Sequence, residues 1–183
     1  AGLALELAEA APDVTVELVA VDVDRGWMLM RDAGGRLREL VGGVEQIEHQ
    51  VQALGVPHHA QPAIVSITQS TELGTVYSPA DVVAICETAH RHGMRVHMDG
   101  ARIANAAAAH GGTIEVLRSM TVDAGVDVIT FGGTKNGMLG GEAVVFLDAA
   151  AGARGAYIRK TVTQLPSKMR FIAAQFNALL EGD

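Results

Sequence analysis

One cysteine, Cys86, occurs among the 183 residues, so the chain cannot form an internal disulfide bond. No apolar run approaches the roughly 20 residues that a membrane-spanning helix needs. The N-terminus also lacks the basic segment of a signal peptide. Lysine and arginine number only 14, against 21 aspartates and glutamates. We therefore expect no membrane partner, and a reducing cytoplasm as the compartment. We also expect no nucleic-acid partner, because phosphate backbones bind basic surfaces.

The composition that remains is typical of a well-buried globular protein. Hydrophobic residues make up 49% and charged residues 19% of the chain, and the mean hydropathy is +0.23. A chain of this length can bury a sizeable core in one domain. Cys86 falls in a helical pattern, where we interpret it as a small core residue.

Strand and helix patterns alternate along the chain. Ser78, Pro79 and Gly93 mark one helix clearly, as its cap, its first position and its end. The alternation predicts a three-layer α/β fold with a mostly parallel sheet, and the last strand could be antiparallel because it returns so soon. The predicted strands are 14–21, 63–68, 94–98, 126–131 and 142–147. The other predicted helices are 3–11, 44–54, 102–110, 113–124 and much of 149–180, with a break near Pro166.

Lys135 follows the predicted strand 126–131 directly, in a glycine-rich segment. Ligands of open α/β sheets bind where parallel strands end, and a lysine there can form a Schiff base with an aldehyde cofactor. Thr134 and the neighbouring amides could hold an anion. The alternative is an ordinary solvated lysine in a loop.

Asp99 and Arg102 follow the predicted strand 94–98 in the same way. Asp99 could pair with a protonated pyridine nitrogen, or it could cap the next helix. Arg102 could bind a carboxylate or phenolate, or it could pair locally with Asp99.

Four segments together resemble the L-threonine aldolases, which are pyridoxal-phosphate enzymes of the aspartate-aminotransferase fold. Residues 97–106 (HMDGARIANA) resemble the cofactor-binding signature of this family. Residues 131–137 (FGGTKNG) resemble the cofactor-lysine segment of one branch. Residues 66–77 (SITQSTELGTVY) and 165–171 (LPSKMRF) resemble the same branch. The resemblance runs from about residue 44 to the end of the chain.

The resemblance implies a retro-aldol cleavage of L-threonine or related β-hydroxy-α-amino acids to glycine and an aldehyde. Lys135 would hold pyridoxal 5'-phosphate as a Schiff base, and Asp99 would keep its ring nitrogen protonated. Arg102 would lie near the cofactor oxygen and the substrate carboxylate. His58, or a water that it orients, would be the base at the substrate hydroxyl, with His59 as the alternative. Asn105, Lys168 and Arg170 also match the family pattern.

The resemblance also implies a homo-oligomer, a dimer or tetramer, because active sites of the family lie between subunits. Residues 1–40 do not match, and we expect residues 1–183 to be a partial large domain of fold-type I, incomplete at both ends and without the C-terminal small domain. Two alternatives stay open. The chain could be a non-catalytic fragment or degenerate homologue, or it could be a β-eliminating lyase or aminotransferase of the same fold.

Overall fold

The computed structural model describes residues 43–181 and, before them, the backbone of three short strands. These are β1 (Glu17–Asp22), β2 (Trp27–Arg31) and β3 (Arg38–Glu39). β1 and β2 pair with each other in antiparallel fashion. β1 corresponds to the predicted strand 14–21, whereas β2 and β3 lie where the sequence predicts no element. The predicted helix 3–11 lies outside the described residues.

The described strands and helices then alternate as predicted. The strands are β4 (Ile64–Thr68), β5 (Arg95–Asp99), β6 (Val128–Gly132) and β7 (Glu142–Phe146). The helices are α1 (Gly43–Val51), α2 (Pro79–Arg91), α3 (Ile103–Ala109), α4 (Ile114–Ser119), α5 (Ala149–Gly152), α6 (Gly155–Thr161) and α7 (Met169–Glu181). The prediction of a helix over 113–124 is wrong in its extent, because the chain leaves the helix after Ser119 and buries Met120.

Strands β3 to β7 form one sheet in sequence order. β3, β4, β5 and β6 run parallel, and β7 returns antiparallel to β6. The predicted α/β fold with a mostly parallel sheet is therefore confirmed. The parallel strands end at one edge of the sheet, where Thr68 of β4 pairs with Asp99 of β5 and Asp99 pairs with Thr130 of β6.

The core lies between the sheet and helix α2. Val96 and Met98 of β5 are fully buried, while Arg95, His97 and Asp99 alternate with them on the other face of the strand. This is the period of two that a strand imposes on its side chains. Val82, Ile85, Cys86 and Ala89 of α2 pack into the same apolar cluster.

Helix α2 begins where the sequence predicts. The Ser78 hydroxyl accepts a hydrogen bond from Asp81 N at 3.2 Å, and the Asp81 carboxylate accepts one from Ser78 N at 3.0 Å. This capping box satisfies amide groups that the first helical turn leaves unpaired. None of the helices in the described part of the chain has the length and hydrophobicity that a membrane crossing requires.

Candidate functional site

The predicted site residues Asp99, Arg102, Thr134 and Lys135 follow the ends of two neighbouring parallel strands. Asp99 is the last residue of β5, and Arg102 lies in the turn before α3. Lys135 closes the single 3₁₀ turn Gly133–Lys135, which follows β6 without a gap. The structure thus brings the four residues to the sheet edge at which ligands bind in this class of fold.

Asp99 is half-buried and shapes the turn that follows its strand. Its Oδ1 accepts a hydrogen bond from Ala101 N at 2.9 Å. The cap position of α3 is occupied by Arg102, which makes no side-chain capping bond. The alternative interpretation of Asp99 as a helix cap is therefore wrong, because the helix starts too late for its carboxylate to serve.

Arg102 forms its ion pair with Glu72 rather than with Asp99. The distance from Arg102 Nη2 to Glu72 Oε1 is 3.1 Å. The guanidinium is 23% exposed and the Glu72 side chain 78% exposed, so water screens this pair on one side. The local Asp99–Arg102 ion pair, considered from the sequence, is not formed, and Arg102 instead joins the loop after β5 to the loop after β4.

Lys135 and Thr134 are exposed, on a turn that the protein packs tightly from beneath. A Cβ atom at Gly133 would lie 2.6 Å from the sulfur of Met138 and 2.9 Å from Gly141 O. No side chain fits there. The sequence context of Gly133 indicates close approach of a ligand as the reason for a glycine. The structure adds a second reason, which is the internal packing of the loop.

His97 is a further residue of this region, which the sequence analysis did not single out. Its Nδ1 lies 2.8 Å from Ser66 Oγ and its Nε2 lies 3.1 Å from Thr130 Oγ1. Burial lowers the pKa of His97, and the charge of Asp99 offsets part of this effect. The imidazole of His97, on β5, therefore links β4 to β6 through side-chain contacts.

Gln69 and Asn136 are two further residues whose contacts the sequence could not reveal. Gln69 is fully buried and holds Tyr77 from both sides, since its Nε2 donates to Tyr77 O and its Oε1 accepts from Tyr77 N. Asn136 directly follows Lys135 and makes three hydrogen bonds to backbone groups. A polar amide beside a functional residue is the only signal that the sequence offers for Asn136.

His58 precedes β4 rather than following the end of a parallel strand. It is exposed in the loop that leads into β4. Gln61 orders the loop by accepting from Gly55 N at 2.7 Å and donating to Ala53 O at 2.9 Å. The alternative, His59, is exposed in the same loop. The role of either histidine stays a prediction.

Three further residues that match the family pattern are exposed. Asn105 lies on α3, and Lys168 lies just before α7. Arg170 stacks over the Phe171 ring at 4.9 Å from its centroid. Within residues 43–181 no group of three or more histidine, cysteine, aspartate or glutamate side chains could hold a metal ion.

Residues 28–178 match the family of beta-eliminating lyases. The chain is 47% identical over 124 residues to a low specificity L-threonine aldolase of Pseudomonas sp. (strain NCIMB 10558), covering 68% of this chain and 35% of that protein. It is 45% identical over 126 residues to the protein of the same name from Pseudomonas aeruginosa, covering 69% and 36%. The chain thus spans about a third of the length of these relatives.

A solved structure of Leishmania major threonine aldolase has a similar fold. Its TM-score is 0.58 at 28% sequence identity, over 66% of this chain and 34% of that one. The resemblance inferred from four sequence segments is therefore confirmed by sequence and by structure.

Proposed function

The chain belongs to the beta-eliminating lyase family, and we propose that it serves the retro-aldol cleavage of L-threonine or related β-hydroxy-α-amino acids to glycine and an aldehyde. The observation that carries this proposal is the convergence of Lys135, Asp99 and Arg102 on one edge of the sheet. The relatives named low specificity L-threonine aldolase support the choice of substrate. The described residues would form part of a cofactor-binding domain.

These residues fit pyridoxal 5'-phosphate. An exposed primary amine, a half-buried carboxylate and a guanidinium lie at the ends of two adjacent strands, and these groups suit the aldehyde, the ring nitrogen and the ring oxygen of the cofactor. When bound, the cofactor supplies an electron sink for the bond that breaks at the substrate Cα. Lys135 Nζ would bind its aldehyde carbon, and Thr134 would bind an anionic group of the cofactor beside this lysine.

The remaining residues would act on protons and on the substrate carboxylate. The Asp99 carboxylate would hold a proton on the ring nitrogen, because an adjacent anion favours the cationic form. Arg102 would bind the substrate carboxylate or the ring oxygen with its guanidinium. His58, directly or through a water molecule, would take the proton of the β-hydroxyl group. This last role rests on the sequence resemblance.

The proposal is tested by mixing the chain with pyridoxal phosphate and recording the absorbance spectrum. We expect a visible band that disappears in Lys135→Ala and can be fixed on Lys135 by borohydride, as the mass of the labelled peptide will show. Lys160→Ala, which removes an exposed lysine of α6, is the matched control and should keep the band. A band that survives Lys135→Ala would refute the assignment.

A second candidate, β-elimination, is favoured by the name of the matched family. The products separate the two reactions. Cleavage of L-threonine by an aldolase releases acetaldehyde and glycine, whereas β-elimination from L-serine releases pyruvate and ammonia. An aminotransferase would release neither acetaldehyde nor ammonia. It would instead release a 2-oxo acid that keeps the hydroxyl group of its substrate. A chain that binds the cofactor but releases neither these products nor a 2-oxo acid would be non-catalytic.

We also propose that the protein is a cytoplasmic homo-oligomer, a dimer or tetramer. Tyr157 of α6 is 74% exposed, and Phe171 and Leu180 of α7 are 60% and 78% exposed. These helices follow each other in the chain, and exposed large apolar side chains are typical of surfaces that other protein chains cover. Sedimentation velocity would test the oligomeric state, and a monomer at all concentrations would contradict it.

A further inference from the structure

The side chain of Asn136 joins the two loops that carry the candidate site. Its Nδ2 donates to Gly132 O at 2.6 Å, at the end of β6, and to Ala101 O at 3.1 Å, in the turn after β5. Its Oδ1 accepts from Ala104 N at 3.2 Å, in the first turn of α3. Both N–H groups of the carboxamide, which are the only donors of this side chain, are thus used, and its oxygen is used as an acceptor.

These bonds extend a connection that reaches both Lys135 and Asp99. Ala101 accepts from Asn136 through its carbonyl and donates its own N–H to Asp99 Oδ1 at 2.9 Å. At the other end, Asn136 is covalently next to Lys135. A Cβ atom at Gly132 would lie 3.4 Å from Ala101 Cα, so the two loops are in close contact here. We call this connection, from Asp99 through Ala101 to Asn136, the Asn136 bridge.

We propose that Asn136 is a positioning residue, whose carboxamide fixes the amine of Lys135 relative to the carboxylate of Asp99. This inference rests on the proposed function, in which Lys135 and Asp99 hold opposite sides of one cofactor. A rigid cofactor must meet both groups at once, and small displacements of groups that act together are costly. The Asn136 bridge sets their separation before the cofactor arrives.

The chemistry of the bridge requires asparagine. An aspartate at this position would keep an acceptor for Ala104 N but would face two carbonyl oxygens without a proton to donate. An alanine would leave all three backbone groups without their partner. Asn136→Ala removes the bridge without adding a charge next to Lys135, and is therefore the more informative variant. Asn177→Ala, at an exposed position of α7, is the matched control.

The first measurement is amide hydrogen exchange of the chain without cofactor. In Asn136→Ala we expect exchange at Ala104 N to rise by about fivefold, which is the factor that corresponds to about 1 kcal/mol for one hydrogen bond. Asn177→Ala should leave it unchanged. An unchanged exchange rate in Asn136→Ala would overturn the bridge whether or not the cofactor binds.

The second measurement is a double-mutant cycle on the dissociation constant of pyridoxal phosphate. Asn136→Ala should raise this constant by about tenfold when Asp99 is present, and by less than about threefold in an Asp99→Asn background, because the pair to be aligned is then lost. Equal effects in the two backgrounds would mean that Asn136 only stabilises the loops, and would overturn the positioning role.

The two measurements separate failure of this inference from failure of the proposed function. A chain whose Ala104 exchange responds to Asn136→Ala, but which does not bind pyridoxal phosphate at Lys135, would refute the proposed function together with the positioning role. A chain that binds the cofactor at Lys135 and whose cycle is additive would refute the positioning role alone.

Discussion

At the scale of single residues, a buried carboxylate holds together the end of the sheet opposite to the candidate site. Asp127 is 7% exposed. Its Oδ2 accepts from Val96 N at 2.7 Å and contacts His90 Nε2 at 2.9 Å, and its Oδ1 accepts from Arg95 at 3.3 Å. One side chain therefore ties α2 and β5 to the chain before β6. A buried charge is tolerated because these partners replace its water.

Replacement of Asp127 should cost more than replacement of an exposed aspartate. Asp127→Ala leaves the buried Val96 N–H without an acceptor, and we expect unfolding free energy to fall by about 2–3 kcal/mol. Asp127→Asn keeps one acceptor and should cost less. Urea unfolding measures both.

The control is Asp123→Ala, which removes an exposed ion pair with Arg118. Such pairs contribute about 0–1 kcal/mol. If Asp127→Ala and Asp123→Ala lower the stability equally, the described hydrogen bonds of Asp127 do not stabilise the fold.

Cys86 should be chemically inert in the folded protein. Burial, with a smaller contribution from the charge of Asp127, raises the pKa of its thiol to about 12. Because the thiolate is the reactive form, we expect alkylation by iodoacetamide at pH 8 to be at least about a hundredfold slower than in the urea-unfolded chain. Mass spectrometry follows the reaction. Rapid modification of the folded protein would contradict the packing of α2 on the sheet.

At the scale of elements, strand β5 separates an apolar face from a face of polar and ionisable groups. Alternation along 94–98 predicts these two faces, and the predicted capping of α2 by Ser78 is also found. The two faces and the cap can both be predicted because they depend on residues only a few positions apart in the sequence. The contacts of His97 with Ser66 and Thr130 span 31 and 33 positions, and the ion pair of Arg102 with Glu72 spans 30. No local pattern indicates them, because the sheet register creates them.

His97 should make stability depend on pH. Its pKa is lowered in the fold from an ordinary value of 6.5, so below that value the unfolded chain binds a proton that the folded protein excludes. The contribution of His97 to the unfolding free energy is present above pH 6.5 and is lost as the pH falls through the lowered pKa. We expect unfolding free energy to decrease more steeply between pH 7 and pH 5 than in His97→Gln, by at most about 1.4 kcal/mol per pH unit.

His110→Gln is the control for this measurement, since His110 is an exposed residue after α3. His110→Gln should show the same dependence of the unfolding free energy on pH as the unaltered chain. Parallel pH profiles for the unaltered chain and His97→Gln would show that His97 titrates alike in the folded and unfolded states.

At the scale of the whole molecule, the order of strands and helices from residue 43 onward could be predicted, because each element has its own period and boundary signals. The antiparallel return of β7 could be expected from the short connection after β6. Strands β2 and β3 could not be predicted from the sequence. A two-residue strand such as β3 exists only through its pairing with β4. The placement of Lys135 and Asp99 at neighbouring strand ends could be predicted because parallel strands share an edge, whereas the Asn136 bridge depends on loop geometry.

Helix α7 connects the end of the described chain to the loop that follows Lys135. Phe176 packs on Phe131 of β6, with ring centroids 6.1 Å apart. Gln175 Oε1 accepts from Leu139 N at 2.9 Å and from Gly140 N at 3.3 Å. The helix therefore supports residues 137–141 from outside the sheet, although none of its own side chains is fully buried.

Removing the Phe176 ring should loosen this support. We expect Phe176→Ala to lower the unfolding free energy by about 1–2 kcal/mol, less than for a fully buried phenylalanine because the ring is only half-buried. It should also raise amide exchange at Leu139 and Gly140, whose hydrogen bonds depend on the position of α7. Ile114→Ala removes an apolar side chain from a position 62% exposed and should change neither quantity appreciably. Equal effects of the two substitutions would show that α7 does not support this loop through Phe176.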